Sequence, residues 1–303
     1  MVRHPPRGGQ TPGRGRVAPK GQSADEREAS RADGGFESYN MIDTHCHLLS
    51  DGIHERLDAV LADARAVGVG GFITIATTSA DAVEGLAIAD RHPDVWCTSG
   101  IHPLHAADPI DWGDLRRAAL HPRCVAWGEL GLDNHYPTPA AALQRSVLEE
   151  QLARIEGWRA EGIDKPVVIH CRRAVGDLLP VLRASALPPE RFVFHCFTET
   201  PGDARAVLDF GAWISFTGVV TFRNATEVAE CARLVPADRI MCETDAPFIS
   251  PEPVRSRKPC LPGYVMHTGR HVAMLRGVPF EDFERTVDAN ARRFFGLPEG
   301  TGR

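Results

Sequence analysis

Two histidines separated by one residue on an extended chain project to the same side, so His45 and His47 in Asp43-Thr44-His45-Cys46-His47 can reach one cation together. Imidazole nitrogens hold a zinc-like ion at about 2.0–2.1 Å. A lone His-x-His pair is common on protein surfaces and says little. Its meaning here comes from Glu129, His170, His195 and Asp245, each at or near the end of a β-branched or aromatic run. Glu129 suits a bridging role, because a carboxylate can give one oxygen to each of two ions about 3.5–4 Å apart. His170 and His195 then hold the second ion, and Asp245 joins His45 and His47 on the first. A water shared by such a pair ionises near neutral pH. Asp245 is placed to take its proton as general base, with a phosphorus or carbonyl centre under attack. Glu243, two residues before Asp245, faces the same side and can orient a histidine ligand.

Further residues read as substrate contacts. His102, in Gly100-Ile101-His102-Pro103, can touch substrate or steady developing charge. Arg172, beside His170, can hold a phosphate oxygen. Arg223 and the Arg255, Arg257, Lys258 group are additional cationic candidates. Cys46, Cys171 and Cys196 each follow a site histidine. On a strand the next side chain points the other way, so they read as small buried hydrophobes.

Positioning these residues needs a repeating frame. Eight short apolar runs occur at 41–45, 72–77, 95–101, 125–130, 167–170, 192–197, 213–216 and 240–244. Amphipathic segments at 55–67, 82–91, 140–160, 175–183 and 227–234 lie between them. Strands alternating with helices imply parallel pairing through crossovers. Eight such units in about 250 residues predict an α/β fold of the TIM (β/α)8 barrel type, whose chemistry sits at the C-terminal ends of the strands. A doubly wound open sheet is the runner-up, but it calls for a glycine-rich turn after the first strand, where this chain has Asp43-Thr44-His45-Cys46-His47. Helical patterns follow at 265–276 and 280–295, with Gly296 as a stop. Residues 1–40, rich in Gly, Pro, Ser and charge, read as a disordered tail before a barrel domain at 41–303.

Bulk properties narrow the choice. The net charge of −6 excludes a protein that grips nucleic acid by its overall field, so such contacts must be local or depend on bound cations. No run approaches the roughly 20 apolar residues of a membrane span. The opening has no apolar leader core, and 8 Cys in a long chain read as free thiols. A cytoplasmic protein with no membrane association and no obligate protein partner is expected.

Taken together, these motifs resemble the TatD family of metal-dependent deoxyribonuclease-like hydrolases, within the amidohydrolase-type barrels. The likeness runs from about Met41 to Leu297. It is carried by Ile42-Asp43-Thr44-His45-Cys46-His47-Leu48, Gly100-Ile101-His102-Pro103, Gly128-Glu129-Leu130-Gly131-Leu132-Asp133 and Gln144-Arg145. It continues through Pro166-Val167-Val168-Ile169-His170-Cys171-Arg172, Phe194-His195-Cys196-Phe197, Ile214-Ser215-Phe216, Glu243-Thr244-Asp245-Ala246-Pro247 and Asn290-Ala291-Arg292-Arg293-Phe294-Phe295. The resemblance implies the ligand set His45, His47, Glu129, His170, His195 and Asp245 for two divalent cations (Zn2+, Mg2+ or Mn2+). It also implies 3′–5′ exonuclease or related phosphodiesterase activity, with DNA 3′ ends or single strands as substrate. The family version with Glu on strand four needs no carboxylated lysine, and Lys165 is not placed for that role. Three positions depart from the family pattern: Arg173 after the strand-five motif, Phe197-Thr198-Glu199 after strand six, and Cys260-Leu261-Pro262 before the late helix. They leave room for a hydrolase of a carbonyl substrate (an amide, a lactone or an aminoacyl ester on tRNA). A third reading is a non-catalytic barrel that binds a partner.

Overall fold

The computed structural model describes residues 41–299, and within them every apolar run becomes a parallel strand and every amphipathic stretch a helix. The tail read at 1–40 lies outside the described residues. The strands are β1 (Met41–Cys46), β2 (Val69–Thr74), β3 (Val95–Ser99), β4 (Cys124–Asp133), β5 (Val167–Arg172), β6 (Phe192–Phe194), β7 (Trp213–Phe216) and β8 (Ile240–Cys242). They pair in chain order, all parallel. A bridge between Cys46 and Ala246 joins the segment that follows the last strand to the first strand. Asp245 N–H donates to the His45 carbonyl at 2.9 Å, and His47 N–H donates to the Ala246 carbonyl at 2.8 Å. The result is the expected TIM barrel, closed through the two segments that carry His45, His47 and Asp245.

Helices wrap the outside: α1 (Leu57–Ala66), α2 (Ser79–Arg91), α3 (Trp112–Leu120), α4 (Ala141–Ala160), α5 (Val175–Ala184), α6 (Pro201–Phe210), α7 (Thr226–Leu234), α8 (Val265–Arg276) and α9 (Phe280–Phe295). The amphipathic segments named from sequence do not include α3 and α6. Their caps also mark them. Asp111 accepts from Asp114 N–H, and Thr200 and Asp203 form a reciprocal capping box with Pro201 in the first turn. Gly296 ends α9 at φ 66°, as expected of a left-handed stop.

The barrel interior divides by polarity. Its lower half is apolar, with Ile42, Ile73, Trp96, Val168, Val193 and Met241 packed together with Phe294 and Phe295 of α9. Phe294 meets the Trp213 ring edge-on at 5.3 Å. The helix thus stops one end of the barrel, and the polar side chains collect at the other. Register shifts occur between Asp43 and Cys46 and between Trp127 and Leu130. Such irregularities re-aim the side chains that follow, and these two spans carry His45 and Glu129.

Gly131 sits in β4 at φ +153°, where a Cβ would lie 1.9 Å from the His170 carbonyl oxygen. Gly131→Ala is expected to destabilise by roughly 2–5 kcal/mol through overpacking and strain. Gly157, exposed near the end of α4 with nothing within 4 Å of its Cβ position, is the control. Gly157→Ala should stabilise by about 0.5–1 kcal/mol. Thermal unfolding of both variants checks this, and equal Tm shifts would contradict the packing argument.

Candidate metal centre

Glu129 is 2% exposed and lies among five histidines. Its two oxygens face different neighbours. Oε2 lies 3.3 Å from His45 Nε2 and 3.9 Å from His47 Nε2. Asp245 Oδ1 closes that group, 3.7 Å from His45 Nε2 and 3.3 Å from His47 Nε2. Oε1 faces His170 Nδ1 at 2.7 Å and His195 Nε2 at 2.8 Å, and those two nitrogens are 3.3 Å apart. The six residues named from sequence therefore meet at one point, although they come from strand ends all round the barrel. Groupings that could hold a cation are His45 with His47 and Asp245, His45 with Glu129 and His195, and His102 with Glu129 and His170.

The donor chemistry fits divalent cations. His45 is fully buried, its ring is stacked on that of His195 at 3.8 Å, and its Nε2 has no hydrogen-bond partner although it points at the carboxylates. A buried nitrogen without a partner costs free energy, and a cation would satisfy it. Two outer carboxylates set the other rings. Asp133 Oδ2 lies 3.1 Å from His170 Nε2, which leaves His170 Nδ1 toward Glu129. Glu243 Oε1 lies 3.4 Å from His195 Nδ1, which leaves Nε2 inward. Carboxylates behind ligand histidines fix ring orientation and raise basicity. Glu243 is the orienting residue expected from sequence. It is itself held by Cys196 N–H at 2.6 Å and the Ser215 hydroxyl at 2.6 Å. Asp133 was not singled out, yet it stands four residues after Glu129 on the same strand, which places both on one face.

His102 belongs to the cluster in a different way. Its Nδ1 accepts the Leu104 N–H at 3.0 Å, so its proton sits on Nε2. Nε2 lies 3.4 Å from Glu129 Oε1 and 3.2 Å from His170 Nδ1. Burial pushes its pKa down to about 4, so the ring is neutral and offers an N–H to the centre. This favours a donor over a ligand. His195 lies just past β6, whereas the sequence reading put it within the strand. That strand stops at Phe194 because the chain turns at Cys196, φ 44°.

Charge in the cluster is mutually compensated. Burial pushes Glu129 up, but the surrounding imidazoles, His195 first among them, together outweigh it and hold the carboxyl well below the ordinary range. Burial alone would lower His47, His170 and His195; Asp245 lifts the first, Asp133 and Glu129 the second, and Glu129 the third. Asp245 is likewise pushed up by burial and drawn below its usual value by His47. Outside the cluster, the Arg172 guanidinium stands over the Tyr136 ring at 5.2 Å. Arg255 covers Phe222 at 3.8 Å, and Arg223, Arg257 and Lys258 are exposed on loops after β7 and β8. Lys165 hydrogen-bonds the Cys124 carbonyl, away from the centre. Cys46 and Cys171 pack into the apolar layer around the barrel.

Fold and site together define a barrel metallohydrolase. The family model for the TatD related DNase matches residues 42–296, and the chain belongs to that family. It is 37% identical over 260 residues to the metal-dependent hydrolase YcfH of Escherichia coli K12, covering 85% of this chain and 96% of that one. It is 34% identical over 267 residues to the 3′-5′ ssDNA/RNA exonuclease TatD of Erwinia tasmaniensis, covering 85% and 100%. The crystal structure of YjjV, a TatD homologue from E. coli K12, superposes with a TM-score of 0.79 at 27% identity over 85% of this chain and 98% of that one. The chain is accordingly a metal-dependent, nuclease-like hydrolase.

The raised imidazoles generate a pH prediction. His47, His170 and His195 hold protons above the ordinary value of 6.5. Without cations, their stabilising contribution is complete below about pH 6.5 and fades as pH rises through the raised folded values. A bound cation must displace those protons. The Tm increase on adding Mn2+ to EDTA-treated protein should therefore grow between about pH 5.5 and 8, with protons released. An increase independent of pH, without proton release, would contradict the assignment.

Proposed function

We propose that this chain is a 3′–5′ exonuclease or related phosphodiesterase acting on single-stranded nucleic acid, DNA foremost, with two divalent cations (Mg2+, Mn2+ or Zn2+) at the cluster. The observation that carries the reading is the division of the Glu129 carboxylate between two donor groups. His45, His47, Asp245 and Glu129 Oε2 form one group, and His170, His195 and Glu129 Oε1 the other. A carboxylate divided in this way would serve a two-cation site, with His45, His47 and Asp245 holding one ion and His170 and His195 the other. Bound there, the pair would supply Lewis-acid charge to a phosphodiester and acidify a water.

The protein groups divide the remaining work. Asp245 is an ionised, partly exposed carboxylate at the rim of the centre and accepts the proton of the attacking water at Oδ1. His102 Nε2–H points into the same space and donates to charge that builds on a phosphoryl oxygen. Arg172, next but one to His170 and over the Tyr136 ring, is the candidate to hold an adjacent phosphate. The 3′–5′ exonuclease named among the relatives supports the substrate class. The net charge of −6 makes such local contacts necessary, since the overall field repels a polyanion. The proposal includes a cytoplasmic location, which the eight free thiols support.

The test is release of nucleotides from labelled single-stranded DNA with Mg2+, Mn2+ or Zn2+. Asp245→Ala should lower kcat by about 100-fold or more, and Glu129→Ala should lose both activity and cation affinity. A wild-type protein that binds cations, leaves phosphodiesters untouched and hydrolyses an ester or amide would move the assignment to a carbonyl substrate.

A further inference from the structure

Among the described residues, two phenylalanine, tyrosine or tryptophan side chains stand well out of the surface: Phe248 at 58% and Tyr136 at 47% exposure. Scattered exposed apolar residues are ordinary, but the placement of these two is not scattered. Phe248 follows β8, three residues after Asp245, and its ring meets that of His47 edge-on at 5.6 Å. Tyr136 follows β4, and its N–H is held by Asp133 Oδ1 at 3.2 Å while Asp133 Oδ2 faces His170. In a closed eight-strand barrel, β4 and β8 are four places apart in either direction. The segments that carry the two residues therefore leave the barrel at opposite strands, one touching His47 through its ring and the other bonded through its N–H to Asp133 behind His170.

A cationic side chain accompanies each position, over the ring at Tyr136 and on the backbone at Phe248. Arg172 lies over Tyr136 at 5.2 Å, and Lys258 Nζ donates to the Phe248 carbonyl at 2.6 Å. Aromatic faces beside cationic side chains are how proteins bind single strands without reading sequence: bases stack while phosphates are neutralised. Solvent exposure of a Phe gives no stability to the barrel, whereas a base stacked on it removes that face from water.

We infer that Phe248 and Tyr136 are nucleobase-stacking positions that bracket the scissile phosphodiester, with Arg172 and Lys258 beside them as phosphate contacts. This rests on the phosphodiesterase reading and narrows it. The substrate must be single-stranded with unpaired bases on either side of the cleaved bond, since a base held in a duplex cannot stack on a protein ring. Sequence preference should be weak, because every base has a π face.

The experiment measures KM and kcat with Mn2+ on oligothymidylate and on the same oligomer carrying abasic tetrahydrofuran residues near its 3′ end. Wild type should show a KM about 5- to 100-fold higher on the abasic oligomer, and Phe248→Ala and Tyr136→Ala should each raise KM on oligothymidylate within that range, with kcat largely kept. On the abasic oligomer the same variants should lose little more, since the stacking partner is already gone. Phe248→Tyr and Tyr136→Phe should keep the wild-type KM. General structural damage would instead weaken both substrates and would lower Tm. Alanine variants with an unchanged KM on oligothymidylate, or equal losses on both oligomers, overturn the inference while the phosphodiesterase reading stands. A wild-type protein that fails to cleave oligothymidylate at all overturns both.

Discussion

A carboxylate as deeply buried as Glu129 stays ionised only if positive charge or hydrogen-bond donors surround it. The architecture of the site answers that demand. Imidazoles from the ends of β1, β5 and β6 reach its two oxygens, and the loop after β3 contributes His102 as a donor. No pair of neighbouring strands could supply this set. Only a closed barrel brings strand ends from every direction onto one axis. The same pressure extends outward, where Asp133 and Glu243 stand behind His170 and His195. Glu243 in turn needs Cys196 N–H and Ser215 to hold its own charge. The polar network is thus a chain of obligations that starts at one carboxylate.

Local backbone strain accompanies it. The three non-glycine residues with positive φ among those described are Arg173, Cys196 and Asp245, at 55°, 44° and 53°. All three lie just beyond β5, β6 or β8, beside His170, beside His195 and at the carboxylate itself. Such conformations cost of order 1–3 kcal/mol each and persist only where surrounding contacts impose them. At Asp245 the contacts are visible. Thr244 donates to Asp43 from both its N–H, at 2.9 Å, and its hydroxyl, at 2.6 Å, and so closes the barrel between β8 and β1. Burial pushes Asp43 up to about 8 despite those bonds. The seam that completes the barrel is therefore also the seam that aims Asp245 at His47.

Around this centre the loops are more particular to the chain. Two of the positions that depart from the family pattern touch each other: Arg173 N–H donates to the Glu199 carboxylate at 2.6 Å. Asn134 reaches from the β4 loop to the Arg173 carbonyl at 3.0 Å and to Asp177 at 2.8 Å. The rim over β4, β5 and β6 is thus a linked unit beside Tyr136 and Arg172. On the far side, Arg255 lies on Phe222, and Glu252 N–H donates to the Thr221 hydroxyl at 2.8 Å, tying the β7 and β8 loops together. The candidate metal cluster lies at the strand ends, and these two loop groups stand around it.

How much could be read from the chain alone depends on the range of the interaction concerned. Hydrophobic period, caps and breakers are local, so the eight strands, the late helices at Val265–Arg276 and Phe280–Phe295 and the Gly296 stop were all legible. So was the gathering of the six cluster residues, because a barrel brings its strand ends together. The helices α3 and α6 were legible in their N-terminal caps, Asp111 and Thr200. The end of β6 was misplaced because the turn at Cys196 is imposed by Glu243, 47 residues away. Only tertiary structure decided that Glu129 divides its oxygens between two groups, that Asp133 stands behind His170, and that the His102 proton lies on Nε2. It also decided that the Phe248 ring meets His47 and that the Tyr136 ring lies under Arg172. Each of these depends on distances between segments far apart in the chain, which no local pattern of residues encodes.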